Sequence, residues 1–288
     1  MVELFLKNHL KIIKLVYKMK KRAVNILEVT LRDGLQNEKR VYSLSEKRML
    51  LDRLIKCGFK DIEVTSFVDG KKVPQFADNI EFCKLLQDNG VKYSALIPNK
   101  KGYNMMKESG SIITEGALFV SASDTFNKKN INTDLEGAFK RFLEIRKEDD
   151  KIELRGSISC CFKCPYEGEV SVERVVDVVK RYKDLNVSRI DIADTIGSGT
   201  VYQMRKILDE VLKEVDISKV TGHFHDTNGG ALDLVGECLK YGVTTFHSSM
   251  DGIGGCPFSS VRVGNLSTQK LVMYLKERGY ESGVEILK

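Results

Sequence analysis

No apolar run in the 288-residue chain approaches the roughly 20 residues that span a bilayer, which excludes integral membrane insertion. A secretory signal is also missing. The seven cysteines, an odd number scattered along the chain, therefore read as free thiols in a reducing compartment, and a cytoplasmic location is expected. Only four prolines occur, and no low-complexity linker interrupts the sequence, so one domain is the economical organisation. Cys161 and Cys164 have CxxC spacing, but no second CxxC exists to complete a zinc ribbon. An overall basic surface is lacking too. Residues 1–24 hold seven Lys/Arg and one Glu, and the remainder carries 39 residues of each sign. The folded body is neutral, so the charge gives no reason to expect a nucleic-acid partner.

That basic leading segment is set apart from the body. Lys7, Lys11, Lys14, Lys18 and Lys21 fall on one helical face, with Leu6, Leu10, Ile13 and Tyr17 on a neighbouring one. A helix of this kind can lie on an anionic membrane, or act as an import signal that would place the protein in an organelle matrix. It can equally close the bottom of the fold, or be an upstream extension with initiation at Met19. Residues 1–24 are therefore read as an extension and 25–288 as the catalytic domain.

From residue 25, short β-like runs alternate eight times with stretches of helical period. The runs begin near Asn25, Asp61, Val91, Gly116, Lys151, Arg189, Lys219 and Val243. Amphipathic stretches such as Glu46–Lys56, Val172–Leu185 and Tyr202–Val215 lie between them. Ser45, Thr133, Ser171 and Thr200 sit where N-caps belong, and Gly58, Gly90, Gly110 and Gly242 where helices should stop. Eight such units in about 260 residues predict a closed α/β TIM barrel, (β/α)8, whose functional groups gather at the C-terminal ends of the strands.

The polar residues that stand out fall at those ends. His223 and His225 are two residues apart on a strand, so both imidazoles face one way, as metal ligands would; structural histidines can share this spacing. Arg32 and Asp33 follow the first strand, Glu63 lies on the second, Arg155 on the fifth, and Asp194 ends the sixth. Glu63 stands in a strand whose other inward positions should be apolar, so it needs a cationic partner, and Arg32 is the natural one. Asp33, His223, His225 and Asn265 offer two oxygen and two nitrogen ligands. That set suits Mg2+ or Mn2+ with positions left for substrate oxygens; Asn265 also fits a helix cap. Cys256 is the only reactive group on the Gly252–Pro257 loop. Its thiol can serve as an acid towards a carbanion, or simply be buried in a tight turn.

With these residues in place, the chain resembles the 3-hydroxy-3-methylglutaryl-CoA (HMG-CoA) lyases, within the wider group of metal-dependent barrel lyases and synthases. The resemblance runs from about Asn25 to the end. It is carried by RDGLQNEK (Arg32–Lys39), IEVTSFV (Ile62–Val68), VPQFAD (Val73–Asp78), KKNIN (Lys128–Asn132), CPYEG (Cys164–Gly168), DTIG (Asp194–Gly197), HFHDT (His223–Thr227), GGCPF (Gly254–Phe258) and GNL (Gly264–Leu266). The cysteine loop separates the lyases from the acyltransferase-type synthases.

The resemblance implies a divalent cation on Asp33, His223, His225 and Asn265. It implies Arg32 polarising the thioester carbonyl, Glu63 supporting Arg32, and Cys256 on the loop that closes over substrate. Asp33, or a water on the cation, would be the base. Acyl-CoA would be the partner, with Gln36, Lys39, Ser66, Arg155, Ser157 and Asp194 as substrate contacts and a homodimer as the assembly. The implied reaction is retro-Claisen cleavage of HMG-CoA, or a closely related 3-hydroxyacyl-CoA, to acetyl-CoA and acetoacetate or the matching keto acid, chemistry of leucine degradation and ketone-body formation. The alternatives are a synthase condensing acetyl-CoA with a keto acid, and an inactive barrel kept as a binding protein.

Several positions depart from the family pattern. GPRDG reads TLRDG. Ser157 replaces an aromatic hydroxyl, enlarging the acyl pocket. Asp191 stands in place of a small hydroxyl, and Gln269 and Lys270 replace two acids. The chain stops at Lys288, without the helical tail that many relatives carry, which leaves the expected oligomer contacts open.

Overall fold

A computed structural model of the chain describes residues 22–255 and 264–287. The basic segment up to Lys21 and the thiol of Cys256 lie outside the described residues. Eight parallel strands form a closed barrel: β1 (Asn25–Glu28), β2 (Asp61–Ser66), β3 (Lys92–Leu96), β4 (Glu115–Ser121), β5 (Glu153–Ser159), β6 (Arg189–Asp194), β7 (Val220–Phe224) and β8 (Thr245–Ser248). Each strand pairs with the next in sequence. β8 closes on β1 through the register Thr245↔Asn25 to Ser248↔Glu28. Helices cover the outside, among them α1 (Leu44–Lys56), α2 (Asn79–Cys83), α3 (Lys100–Glu108), α4 (Asp124–Ile131), α5 (Leu135–Glu148), α6 (Val172–Asp184), α7 (Val201–Val211), α8 (Ala231–Tyr241) and α9 (Thr268–Glu277). The expected (β/α)8 fold is the observed one. No described helix is long and apolar enough to cross a membrane.

Local signals explain the helix starts, with two shifts from expectation. Ser171 and Thr200 cap α6 and α7 as anticipated. α1 begins after Ser43 rather than Ser45, because Ser43-x-x-Glu46 forms a reciprocal capping box, whereas Ser45 has Arg48 three residues on. α5 is capped by Asp134 rather than Thr133. The Asp134 carboxylate accepts the Gly137 N–H at 2.8 Å and places negative charge at the helix N-terminus.

The strands alternate in a sense that reverses the usual picture. Ile190 and Ile192 of β6, Leu154 and Ile158 of β5, and Ile62 and Val64 of β2 face the helices and join the hydrophobic core there. Gly156 belongs to that face: a Cβ on it would lie 2.6 Å from the Tyr182 ring, so only glycine lets α6 approach. The barrel interior is polar, which corrects the expectation that β2 is apolar apart from Glu63. Asp61 points inward with it. The reason is pairwise neutralisation, since each buried charge there has a counter-charge beside it. Near the N-terminal end, Arg189 binds both Asp61 and Glu115, Lys92 reaches Glu115 at 3.1 Å, and Asn25 donates to Asp61 at 2.9 Å. Above them Arg155 lies among Glu63, Glu115 and Asp191. A register shift between Glu63 and Thr65 returns Ser66 to the inner face at the mouth.

Candidate active site

The first turn after β1 is wide. Thr30–Gly34 forms a π-helical turn in which the N–H groups of Arg32, Asp33 and Gly34 all converge on the Val29 carbonyl, at 3.1, 2.8 and 3.0 Å. Such single π-turns often mark functional positions. Here the turn sets adjacent residues to work on different partners. The Arg32 Nε donates to Glu63 Oε1 in a close contact, and its NH1 donates to Asp33 Oδ1 at 2.5 Å. Glu63 is held from beneath as well, because the Arg155 guanidinium donates to its other oxygen. Burial would raise the Glu63 carboxyl, but Arg32 and Arg155 on either side hold it below the usual carboxylate range.

Asp33 turns its second oxygen towards the end of β7, two strands away in the barrel. Its Oδ2 lies 3.6 Å from His225 Nε2 and 4.0 Å from His223 Nε2, and those two nitrogens are 3.4 Å apart. Ligand atoms of Asp33, His223 and His225 thus lie within 4.8 Å of one another. Burial alone would push the Asp33 carboxyl up, but the Arg32 guanidinium and the two imidazoles hold it far below the usual range. Burial, with His247 alongside, drives His223 well below the usual histidine range, so the ring is neutral.

The protons on these rings are constrained by geometry. His225 Nδ1 is 2.7 Å from the Thr195 carbonyl, which only accepts, so Nδ1 carries a hydrogen and Nε2 is the atom turned towards Asp33. A carboxylate and imidazole nitrogens converging on one point form a donor set that fits a divalent cation. Asn265 adjoins this cluster through an isolated bridge to His225. Its Nδ2 donates to Asp33 Oδ2 at 2.7 Å and to the Ile253 carbonyl at 3.0 Å, leaving its Oδ1 as the available ligand atom.

The glycine-rich segment packs directly on this cluster. Gly254 has φ +105°, and a Cβ there would sit 2.5 Å from Asn265 Nδ2 and 2.6 Å from the Asp33 carbonyl oxygen. The Asn37 side chain donates to the Gly255 carbonyl. Gly254 is therefore fixed against both Asp33 and Asn265.

The residues expected to contact substrate divide by position. Gln36 is half-buried and Lys39 exposed on the segment after β1. Ser66 is buried, and its hydroxyl has no hydrogen-bond partner among the described residues. Ser157 is half-buried on the inner face of β5, one pleat nearer the mouth than Arg155. Arg155 was expected among the substrate contacts, but it is 1% exposed with carboxylates on three sides, which makes it a support beneath Glu63. Asp194 faces its own loop, accepting the N–H groups of Ser198 (3.1 Å) and Gly199 (2.7 Å). Burial raises its carboxyl, and those loop donors only partly offset the shift.

Two groups escaped the sequence reading. His247, in register with His223, places its Nδ1 3.0 Å from His223 Nδ1. Its signal was parity: it occupies an inward position on β8 level with the first histidine of HFH. Thr195, which fixes His225, acts through a backbone carbonyl, and side-chain identity carries no trace of such a contact.

Comparisons with known proteins agree with this geometry. Residues 23–288 match the family model described as HMGL-like. The human mitochondrial hydroxymethylglutaryl-CoA lyase is 41% identical over 270 residues, covering 93% of this chain and 82% of the relative. Among solved structures, hydroxymethylglutaryl-CoA lyase from Pseudomonas aeruginosa superposes with a TM-score of 0.87 at 37% identity, covering 92% of this chain and 88% of that one. An HMG-CoA lyase from Acinetobacter baumannii, in complex with coenzyme A and 3-methylmalate, gives a TM-score of 0.88 at 32% identity, covering 93% and 88%.

Proposed function

The chain belongs to the HMGL-like family, and from that premise we propose that it is a lyase that cleaves HMG-CoA to acetyl-CoA and acetoacetate. The observation that carries this reading is the convergence of Asp33, His223 and His225 at the barrel mouth, beside the Arg32–Glu63 pair. Relatives named as HMG-CoA lyases, one of them solved with coenzyme A, supply the substrate class.

Asp33, His223, His225 and Asn265 would hold a divalent cation, Mg2+ or Mn2+. When bound, the cation supplies a Lewis acid with positions left for substrate oxygens, and it lowers the pKa of a coordinated hydroxyl. Arg32 lies next to Asp33 with its guanidinium oriented by Glu63, so its charge is in place before the reaction begins. In the cleavage, the tertiary hydroxyl loses its proton and the bond to the thioester α-carbon breaks. The electron pair moves onto the thioester as an enolate, where Arg32 stabilises the developing negative charge. Asp33, or a water beside it, is proposed as the acceptor of that hydroxyl proton, and Asp33 also as a ligand. Cys256 is proposed as the acid that protonates the enolate. Ser66 and Ser157 at the mouth, with Gln36 and Lys39 above it, are proposed contacts for the acyl and CoA portions.

The test is acetyl-CoA release from HMG-CoA with Mg2+ or Mn2+, set against thiol release from acetyl-CoA plus keto acids. Activity only in the second assay would replace the lyase by a synthase. Activity in neither, with no Mn2+ bound, would leave a binding protein. A cytoplasmic location and a homodimeric assembly belong to the same proposal, and fractionation and analytical ultracentrifugation check them; relatives bear both mitochondrial and cytoplasmic names.

A further inference from the structure

Two imidazoles that meet nitrogen to nitrogen have room for one proton between them. His223 and His247 are such a pair. They hold matching inward positions on β7 and β8, with Nδ1 atoms 3.0 Å apart, ring centroids 5.1 Å apart and planes crossing at 88°. His247 is 2% exposed, so water does not mediate the contact. The ring that owns the shared proton determines the other end of His223. Its Nε2, the atom facing Asp33 and His225, presents either a lone pair or an N–H.

We infer that Asp191 and His247 form a positioning pair that sets the tautomer of His223 and so readies its Nε2 to receive a divalent cation. This inference rests on the metal-site reading proposed above. Asp191 Oδ1 lies 3.3 Å from His247 Nε2. A carboxylate only accepts, so a hydrogen bond to it would place the His247 proton on Nε2 and leave Nδ1 with its lone pair. That lone pair accepts the Nδ1–H of His223, and Nε2 of His223 is then free to coordinate.

Asp191 is suited to this task. Burial would raise its carboxyl, but Arg155 beside it at 3.3 Å, His247 and the Thr221 hydroxyl hold it far below the usual range. The opposing influence is also present. Arg155 NH1 lies 3.1 Å from the same His247 Nε2. A guanidinium only donates, so a bond from it would reverse both tautomers and aim an N–H at the cation site. Arg155 has carboxylates of Glu63, Glu115 and Asp191 around it, whereas His247 Nε2 has only Asp191 as an acceptor among the described contacts. The two metal-site histidines are thus fixed by different means. His225 meets a carbonyl directly, the usual arrangement for a ligating histidine, while His223 is reached from a carboxylate through an intervening imidazole.

The test uses the full chain labelled with 15N-histidine, which contains only His9, His223, His225 and His247. Two-bond N–H correlations in metal-free protein report each tautomer, and a Mn2+ titration followed by electron paramagnetic resonance reports affinity. The wild type should show His223 protonated at Nδ1 and His247 at Nε2. His247→Leu should shift His223 to the Nε2–H form and weaken Mn2+ binding roughly 10- to 100-fold. His247→Asn places an amide oxygen near the lost Nδ1; it should retain the His223 tautomer and keep affinity within about threefold. If His247→Leu fails to fold by circular dichroism, the wild-type tautomers and His247→Asn decide.

A wild type that binds Mn2+ with His223 in the Nε2–H form when metal-free would overturn this inference alone. So would a His247→Leu protein with unchanged tautomer and affinity. A wild type that binds no Mn2+ would overturn the metal reading and this inference together.

Discussion

Glu28 offers a test of the electrostatics that needs neither substrate nor metal. It ends β1 and points outward, towards Ser248 of β8 and the start of α9, where it is completely buried with no cation beside it among the described residues. Its partners are neutral. The Thr30 N–H donates to Oε1 at 2.8 Å, the Thr30 hydroxyl donates to the same oxygen, and Thr268 Oγ1 lies 2.8 Å from Oε2. The Thr30 hydroxyl in turn accepts the Met250 N–H at 2.7 Å, so this one carboxyl ties together the turn bearing Arg32 and Asp33, the glycine-rich segment and the helix after Asn265. Burial raises its pKa from 4.5 to about 7, despite the lowering effect of those hydrogen bonds.

The sign follows from linkage. The folded state keeps the Glu28 proton where the unfolded state has lost it, so its stabilising contribution is complete below pH 4.5 and is lost as pH rises through 7. A shift of this size corresponds to about 3 kcal/mol. Glu28→Gln is neutral at every pH, keeps an oxygen to accept from Thr30 and can turn its amide N–H towards the Thr268 hydroxyl. Melting curves of the wild type and variant, taken from pH 5 to pH 8, should therefore diverge. The variant should gain about 3 kcal/mol relative to wild type over that range, or roughly 6 °C for a chain of this size. All other titrating groups are shared and cancel. A melting difference that stays flat with pH, or one that turns against the variant as pH rises, would refute the reasoning.

Other predictions address the mouth of the barrel. Glu63→Gln leaves Arg32 and Arg155 without their shared counter-charge; it should cost about 3–5 kcal/mol, read by denaturant unfolding. His225→Ala and Asp33→Asn should each weaken Mn2+ binding, measured by calorimetry, by more than the roughly 10–100-fold typical of an outer partner. Full activity of either variant after chelator treatment would contradict the ligand set. Cys256→Ser should lower turnover by about 10²–10⁴-fold while leaving Mn2+ affinity nearly intact, and unchanged turnover would remove the acid assignment. Arg155→Lys cannot reproduce a planar fork among three carboxylates, so it should lower the melting temperature.

The barrel was legible in the sequence because its hydrophobic periodicity is strong on the face that packs against helices. Ile190 and Ile192 mark β6 in the sequence, and both lie in the core between strands and helices. The same alternation concealed the interior. A polar residue at every second position reads as a solvent-facing edge until closure of the barrel turns that face inward. Asp61, Glu115, Arg155, Arg189 and Asp191 then become one another's solvent. The site residues named from sequence were those with unusual neighbours: HFHDT, RDG and the glycine run. What lay beyond reach were partners defined across strands by register alone. Arg155 could be placed on β5, but its distance from the mouth depends on the strand's position in the barrel, and that sets whether it meets substrate or Glu63. His247 shows the limit most clearly. It sits in Thr245-Phe246-His247-Ser248, a strand with no motif, and acquires a role only because the register of β7 against β8 sets it level with His223. Sequence periodicity specifies which face a side chain takes, and it leaves the height at which faces of different strands meet to packing of the closed barrel. Functional groups that act through another side chain depend on that height, so they are the part of an active site that a single sequence conceals.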